Sequence, residues 1–134
     1  MAASSYQDLI VWQKAMDLTQ EIYRLTRKLP KEELFSLSDQ MRRAAVSIPS
    51  NIAEGQDRNT AKEFLNFLAI ARGSRAELET QLQICVRVGY LADTDILEAR
   101  QLLVEIGKML SALISKLKTA HLKLKTIPTS ASVF

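Results

Sequence analysis

The side chains that most often carry out covalent or metal chemistry are scarce in this sequence, which has one histidine, His121, and one cysteine, Cys85. A Ser or Cys nucleophile needs a base beside it, and a lone histidine near the end of the chain supplies no evident one. Zinc needs Cys and His clustered at short spacings, and a di-iron bundle needs Glu-x-x-His pairs. Neither pattern occurs. Gly55 and Gly73 are isolated, without the glycine-rich run that cradles phosphate. Cys85 falls among apolar residues, which marks it as a small core side chain, not a reactive thiol. The reading is therefore non-enzymatic, with no cofactor and no metal.

Two groups of polar residues carry more information. Arg43, Ser47, Asn51 and Glu54 recur at helical spacing beside an apolar face, with Pro49 among them. A proline inside a helix removes one ladder hydrogen bond, and Ser47 or Ser50 is expected to satisfy the group it frees. Further along, Ser74, Arg75 and Glu77 form a second set, with Arg75 on the same arc as Phe64, Leu68 and Leu82. Buried charges must be paired and hydrogen-bonded. These seven residues are expected to form a structural polar network between helices or subunits, with Glu54 and Arg75 as one pair.

The other group is basic. The net charge is +3, but no acidic residue follows Glu105, whereas Lys108, Lys116, Lys118, Lys123 and Lys125 do. Together with Arg24, Arg27 and Lys28 they are the candidate contacts for RNA or DNA. Such a surface binds through counterion release, tolerant of sequence and sensitive to salt. No zinc finger or recognition helix-turn-helix is present.

These groups must be positioned by helices. With four glycines and three prolines in 134 residues, the chain has few breakers and reads as all-α. A first helix runs from Gln7 or Asp8 to Lys28, closed by Leu29-Pro30. A second starts at Lys31 to Glu33 and stops at Gly55, read as a C-terminal glycine. A third starts at Asp57 to Thr60, capped by Asn59 or by Thr60 with Glu63 as its capping-box partner, and ends at Gly89. A fourth opens on Asp93-Thr94-Asp95 and continues to Lys118 or beyond. Short connections make this an antiparallel up-down-up-down four-helix bundle. Residues 1–125 form its one domain, and 126–134 read as a mobile tail. The antiparallel order sets Arg24, Arg27 and Lys28 against the acidic starts of the second and fourth helices. No secretory signal, no apolar run of membrane-spanning length and a single cysteine point to the cytosol.

Val11, Ala15, Leu18, Ile22, Leu25 and Leu29 form one stripe of the first helix, and Leu9, Trp12, Met16 and Tyr23 a second. A bundle helix usually needs one apolar face. The second stripe is thus the expected interface of a homo-oligomer. A protein-recruiting scaffold is the alternative to nucleic-acid binding.

The run from Arg43 to Gly55 (Arg-Ala-Ala-Val-Ser-Ile-Pro-Ser-Asn-Ile-Ala-Glu-Gly), followed by Arg58, resembles a bacterial family. Leu9-Ile10-Val11-Trp12-Gln13-Lys14-Ala15 and Ile22-Tyr23 extend the likeness upstream. Glu63-Phe64, Phe67-Leu68, Ile70-Ala71, Gly73-Ser74, Glu77 and Leu82 extend it downstream. The family is that of the four-helix bundle proteins encoded within intervening sequences of 23S ribosomal RNA genes. The resemblance implies a barrel-shaped homopentamer. It also implies kinship with the accessory protein of diversity-generating retroelements, which assists a reverse transcriptase, so a polymerase is a possible protein partner. The family's biochemical role is undefined.

Overall fold

Four amphipathic helices account for most of the chain. A computed structural model describes residues 5–126, with side chains described through residue 122. Helices α1 (Ile10–Thr26), α2 (Leu37–Gln56), α3 (Ala61–Arg87) and α4 (Leu97–Thr126) are accompanied by three short 3-10 turns. Each helix packs on its neighbours in the ring α1-α2-α3-α4-α1. Their directions can be read from the contacts. Lys14 meets Glu105 and Lys28 meets Asp95, so α4 descends as α1 rises. Ser47 meets Ser74 and Met41 meets Cys85, so α2 and α3 also run opposite ways. The segment proposed as a C-terminal tail lies, from residue 127, outside the described residues.

The core stripe of α1 is buried throughout, facing Met41, Ala44, Ala45, Ile48 and Ile52 of α2. Leu68, Ala71, Leu78, Leu82 and Cys85 of α3 close it with Ala99, Leu102, Leu103, Ile106, Leu110 and Ile114 of α4. Each large side chain removed from water contributes about 1.5–3 kcal/mol. Cys85 is fully buried, its thiol pushed up to about 11 by that burial. Its Sγ donates to Met41 Sδ at 3.6 Å.

The helix ends obey local chemistry in two places and depart from it in two others. Thr60 caps α3, accepting from the Glu63 N–H at 3.2 Å. Gly89, at φ +84°, turns the chain out of α3, a conformation that favours glycine. The second helix, however, does not begin at Lys31. Residues Lys31–Glu33 form a 3-10 turn and α2 starts only at Leu37, leaving Leu34 exposed outside the helix. Glu33 is engaged elsewhere: its carboxylate accepts locally from Ser36 Oγ at 2.6 Å and across the fold from Tyr90 Oη at 2.7 Å. Nor does Gly55 end α2, which continues to Gln56. A Cβ at Gly55 would stand 2.8 Å from both Phe64 Cδ1 and Phe67 Cβ. The glycine is needed for close approach of α3, not for a turn.

Pro49 is buried inside α2 and deprives the Ala45 carbonyl of its helical donor. The replacement comes from another helix. Thr19 Oγ1 of α1 donates to the Ala45 carbonyl at 3.1 Å, sharing its proton with the Ala15 carbonyl at 2.8 Å. Ser47 and Ser50, expected in this role, do not fill it, because Ser47 is engaged with Asn51 and Ser74.

Two predictions follow from these ties. Replacing Thr19 by Val leaves the Ala45 carbonyl without a donor and should destabilise the protein by about 1–3 kcal/mol. In a Pro49→Ala background, where the ladder supplies an N–H, the same change should cost markedly less. Urea unfolding of all four proteins measures the coupling, and equal effects in both backgrounds would refute this role for Thr19. The second concerns acid. Asp95 accepts from the Ala92 N–H at 2.8 Å. That bond, with Lys28 beside it, holds its carboxyl below the ordinary 3.8. A depressed folded-state pKa gives stability that is complete above the unfolded value and lost as pH falls through the folded one. Thermal melting between pH 6 and about 2 should therefore show an acid-range loss that shrinks in Asp95→Asn. An identical pH profile in the variant would contradict it.

Candidate functional site

The basic residues singled out from the sequence do not form one surface. Arg24 and Lys28 stand at the C-terminal end of α1. There Arg24 Nε and Nη2 donate to the two carboxylate oxygens of Glu21 at 2.7 and 2.6 Å, and Lys28 Nζ lies 3.4 Å from Asp95. The Glu21 bonds hold the Arg24 guanidinium above its ordinary range. Arg27 is exposed at the same end. Because α4 runs antiparallel to α1, this end neighbours the start of α4. Lys116 and Lys118 lie about 30 Å further down α4 at 1.5 Å per residue. The side chains of Lys123 and Lys125 lie outside the described residues.

The two clusters also differ electrostatically. Lys108, Lys116 and Lys118 are exposed, and none makes an ion pair among the described residues, whereas Arg24 and Lys28 are each matched by a carboxylate. Glu105, the last acid along α4, is taken by Lys14 at 2.9 Å. Lys14 and Gln101 hold the Glu105 carboxyl below its ordinary value. Beyond Glu105, α4 therefore carries positive charge with no acidic residue on the same helix to offset it.

Lys108 has company that sequence reading missed. It lines a groove of about 530 Å³ between α3 and α4 with Arg72, Arg75, Val104, Gly107 and Ser111. The signal was faint. Arg72 and Arg75 are one turn apart in α3, but the sequence does not say that Gly107 and Lys108 come to rest beside them.

The expected seven-residue network is divided. Asn51 Nδ2 donates to Ser47 Oγ at 2.9 Å and to the Ser47 carbonyl at 2.7 Å. Ser74 Oγ lies 2.7 Å from Ser47 Oγ, joining α3 to α2. Glu54 and Arg75 are not a pair, for Glu54 accepts from Arg58 at 2.8 Å. Arg75 reaches α4, donating through Nε to the Leu103 carbonyl at 2.6 Å, and its Nη2 stands 3.5 Å from Glu79. Arg43 pairs with Asp39 at 3.0 Å, and Glu77 accepts from Gln81 at 3.3 Å. Asn51, Arg43 and Glu77 each have a partner one turn away in their own helix, where the i,i+4 geometry is already available, and Ser74 and Arg75 reach across to other helices.

The second stripe of α1 is also split. Leu9 and Trp12 are partly buried against the core, with Tyr6 edge-on to Trp12 at 5.3 Å. Met16 remains 44% exposed and Tyr23 37% exposed, and Val46 of α2 is 40% exposed. Tyr23 and Val46 line one open groove with Arg42 and Arg43, and the Arg42 guanidinium sits 5.0 Å over the Tyr23 ring. Among the described residues no three of His, Cys, Asp and Glu converge as a metal site, and no helix is long and apolar enough to cross a membrane.

Comparison with known proteins agrees with this architecture. No curated protein matches the chain. Among solved structures, it resembles a protein of unknown function from the S23 ribosomal protein family of Bacteroides thetaiotaomicron, with 27% identity and a TM-score of 0.73. That likeness covers 78% of this chain and 98% of the other. The model of the 23S rRNA-intervening sequence protein family matches residues 7–112. A match of that extent, over α1 to α3 and the first half of α4, places the chain in a family without an assigned activity: it belongs to the 23S rRNA-intervening sequence proteins.

Proposed function

We propose that the chain is a non-enzymatic, self-associating bundle of the cytosol that holds RNA or DNA on the cationic half of α4. The observation that carries the reading is the charge imbalance of that helix. Lys108, Lys116 and Lys118 are exposed and unpaired among the described residues, and the sequence has no acid after Glu105. Arg24 and Lys28, by contrast, are held by Glu21 and Asp95 and are set aside as contacts. A few lysines on one subunit bind a phosphate backbone weakly. Repeated around a ring they act together, because each further contact is made at high effective concentration. Self-association is supported by the open strip of Met16, Tyr23 and Val46, apolar surface that a second copy would cover. The homopentamer implied by the family resemblance would give that ring.

Light scattering coupled to size exclusion, with and without a short structured RNA at low and high salt, tests both parts. A pentamer-sized particle should gain RNA at low salt and release it at high salt. Lys116→Ala with Lys118→Ala should weaken binding across RNA sequences alike and reduce the salt slope by about one per lysine. A monomer would remove the ring. An oligomer indifferent to RNA would favour recruitment of a protein partner instead.

A further inference from the structure

The α3–α4 groove brings together three cations and no carboxylate. Arg72 and Arg75 enter it from α3 and Lys108 from α4, with Ser111 beside them. Arg75 is fixed before any ligand arrives. Its Nε donates to the Leu103 carbonyl at 2.6 Å, and its guanidinium lies over Gly107, where a Cβ would stand 2.7 Å from Nε and 2.9 Å from Nη2. Glu79, its acidic neighbour at 3.5 Å, does not line the groove. Arg72 and Lys108 are exposed and form no ion pair among the described residues.

Three positive charges facing one concavity repel each other, and an anion between them relieves that repulsion. The planar guanidinium fork matches the oxygens of a phosphate. A side chain already held by a backbone carbonyl also loses less freedom on binding than a free one. Ser111 adds a hydroxyl donor at the same place.

We propose that this groove is a phosphate-binding site. Arg75 is its fixed donor, Arg72 and Lys108 supply charge from the two helices, and Ser111 donates to a remaining oxygen. The ligand chemistry is a phosphate oxyanion, drawn either from the backbone of a nucleic acid or from free phosphate. With the first source the site deepens the nucleic-acid reading above and rests on it; with the second it stands alone.

The test follows backbone amide shifts of the isotope-labelled full chain during titration with inorganic phosphate, against chloride at equal ionic strength, and with a short single-stranded RNA. The amides of Arg75, Gly107 and Ser111 should move with both ligands. The double variant Arg72→Ala, Lys108→Ala changes exposed side chains only, and its unchanged melting would verify the fold. Its RNA affinity should fall about tenfold or more, the order expected for lost phosphate contacts. If phosphate moves the groove amides but RNA is not bound at all, the site stands with free phosphate as its source and the nucleic-acid reading falls. If RNA binds wild type and variant equally and neither ligand moves the groove amides, the site is overturned while the nucleic-acid reading survives. If neither ligand produces a shift, both are overturned.

Discussion

A buried carbonyl that has lost its helical donor is among the more costly things a helix bundle can contain, since an unpaired polar group forgoes water without compensation. Pro49 creates one at Ala45, near the middle of α2, and the hydroxyl of Thr19 on α1 answers it. That arrangement constrains more than one bond. It sets the register of α1 against α2, and the same register brings Arg42 over Tyr23 and its Nε to Thr26 Oγ1 at 2.9 Å. It also leaves Ser47 free to engage α3 through Ser74. The proline in the polar stripe of α2 therefore organises contacts on both of the helix's flanks.

Where helices approach most closely, the decisive feature is a missing side chain. Gly55 admits the ring of Phe64 and the Cβ of Phe67, and Gly107 admits the guanidinium of Arg75. In both places a methyl group would occupy space already filled, and a close-packed interior has little room to yield. The second case has a chemical consequence. A guanidinium sunk over a glycine and hydrogen-bonded to a carbonyl presents a fixed cation at the edge of a groove, whereas a cation on a free side chain samples many positions.

The antiparallel order governs the electrostatics as well. It carries the basic end of α1 to the acidic start of α4, where Lys28 meets Asp95 and the fields of the helix ends are complemented, while Arg24 is held by Glu21 of its own helix. The same order sends the acid-free half of α4 to the opposite end. Basic residues that look equivalent by composition are thereby placed at opposite ends of the bundle, Lys28 beside an acid and Lys116 and Lys118 away from any on their helix.

Much of the fold was legible from the chain because it depends on local signals. The core stripe of α1 follows from apolar periodicity. The Thr60 cap, the exit at Gly89 and the break at Pro30 follow from backbone chemistry within a few residues. The family likeness likewise rests on contiguous motifs. What the sequence could not determine was which polar side chains meet, since partners such as Arg75 and Leu103, or Thr19 and Ala45, are far apart along the chain. Their pairing depends on helix register, and a shift of one residue turns a side chain by about 100°. For the same reason Gly55 was misread as a helix end, and Glu54 was assigned to Arg75 while Arg58, in the turn just after α2, lay within reach. Periodicity decided which face of each helix is buried; only the packed bundle decided what each polar residue on its flank would touch.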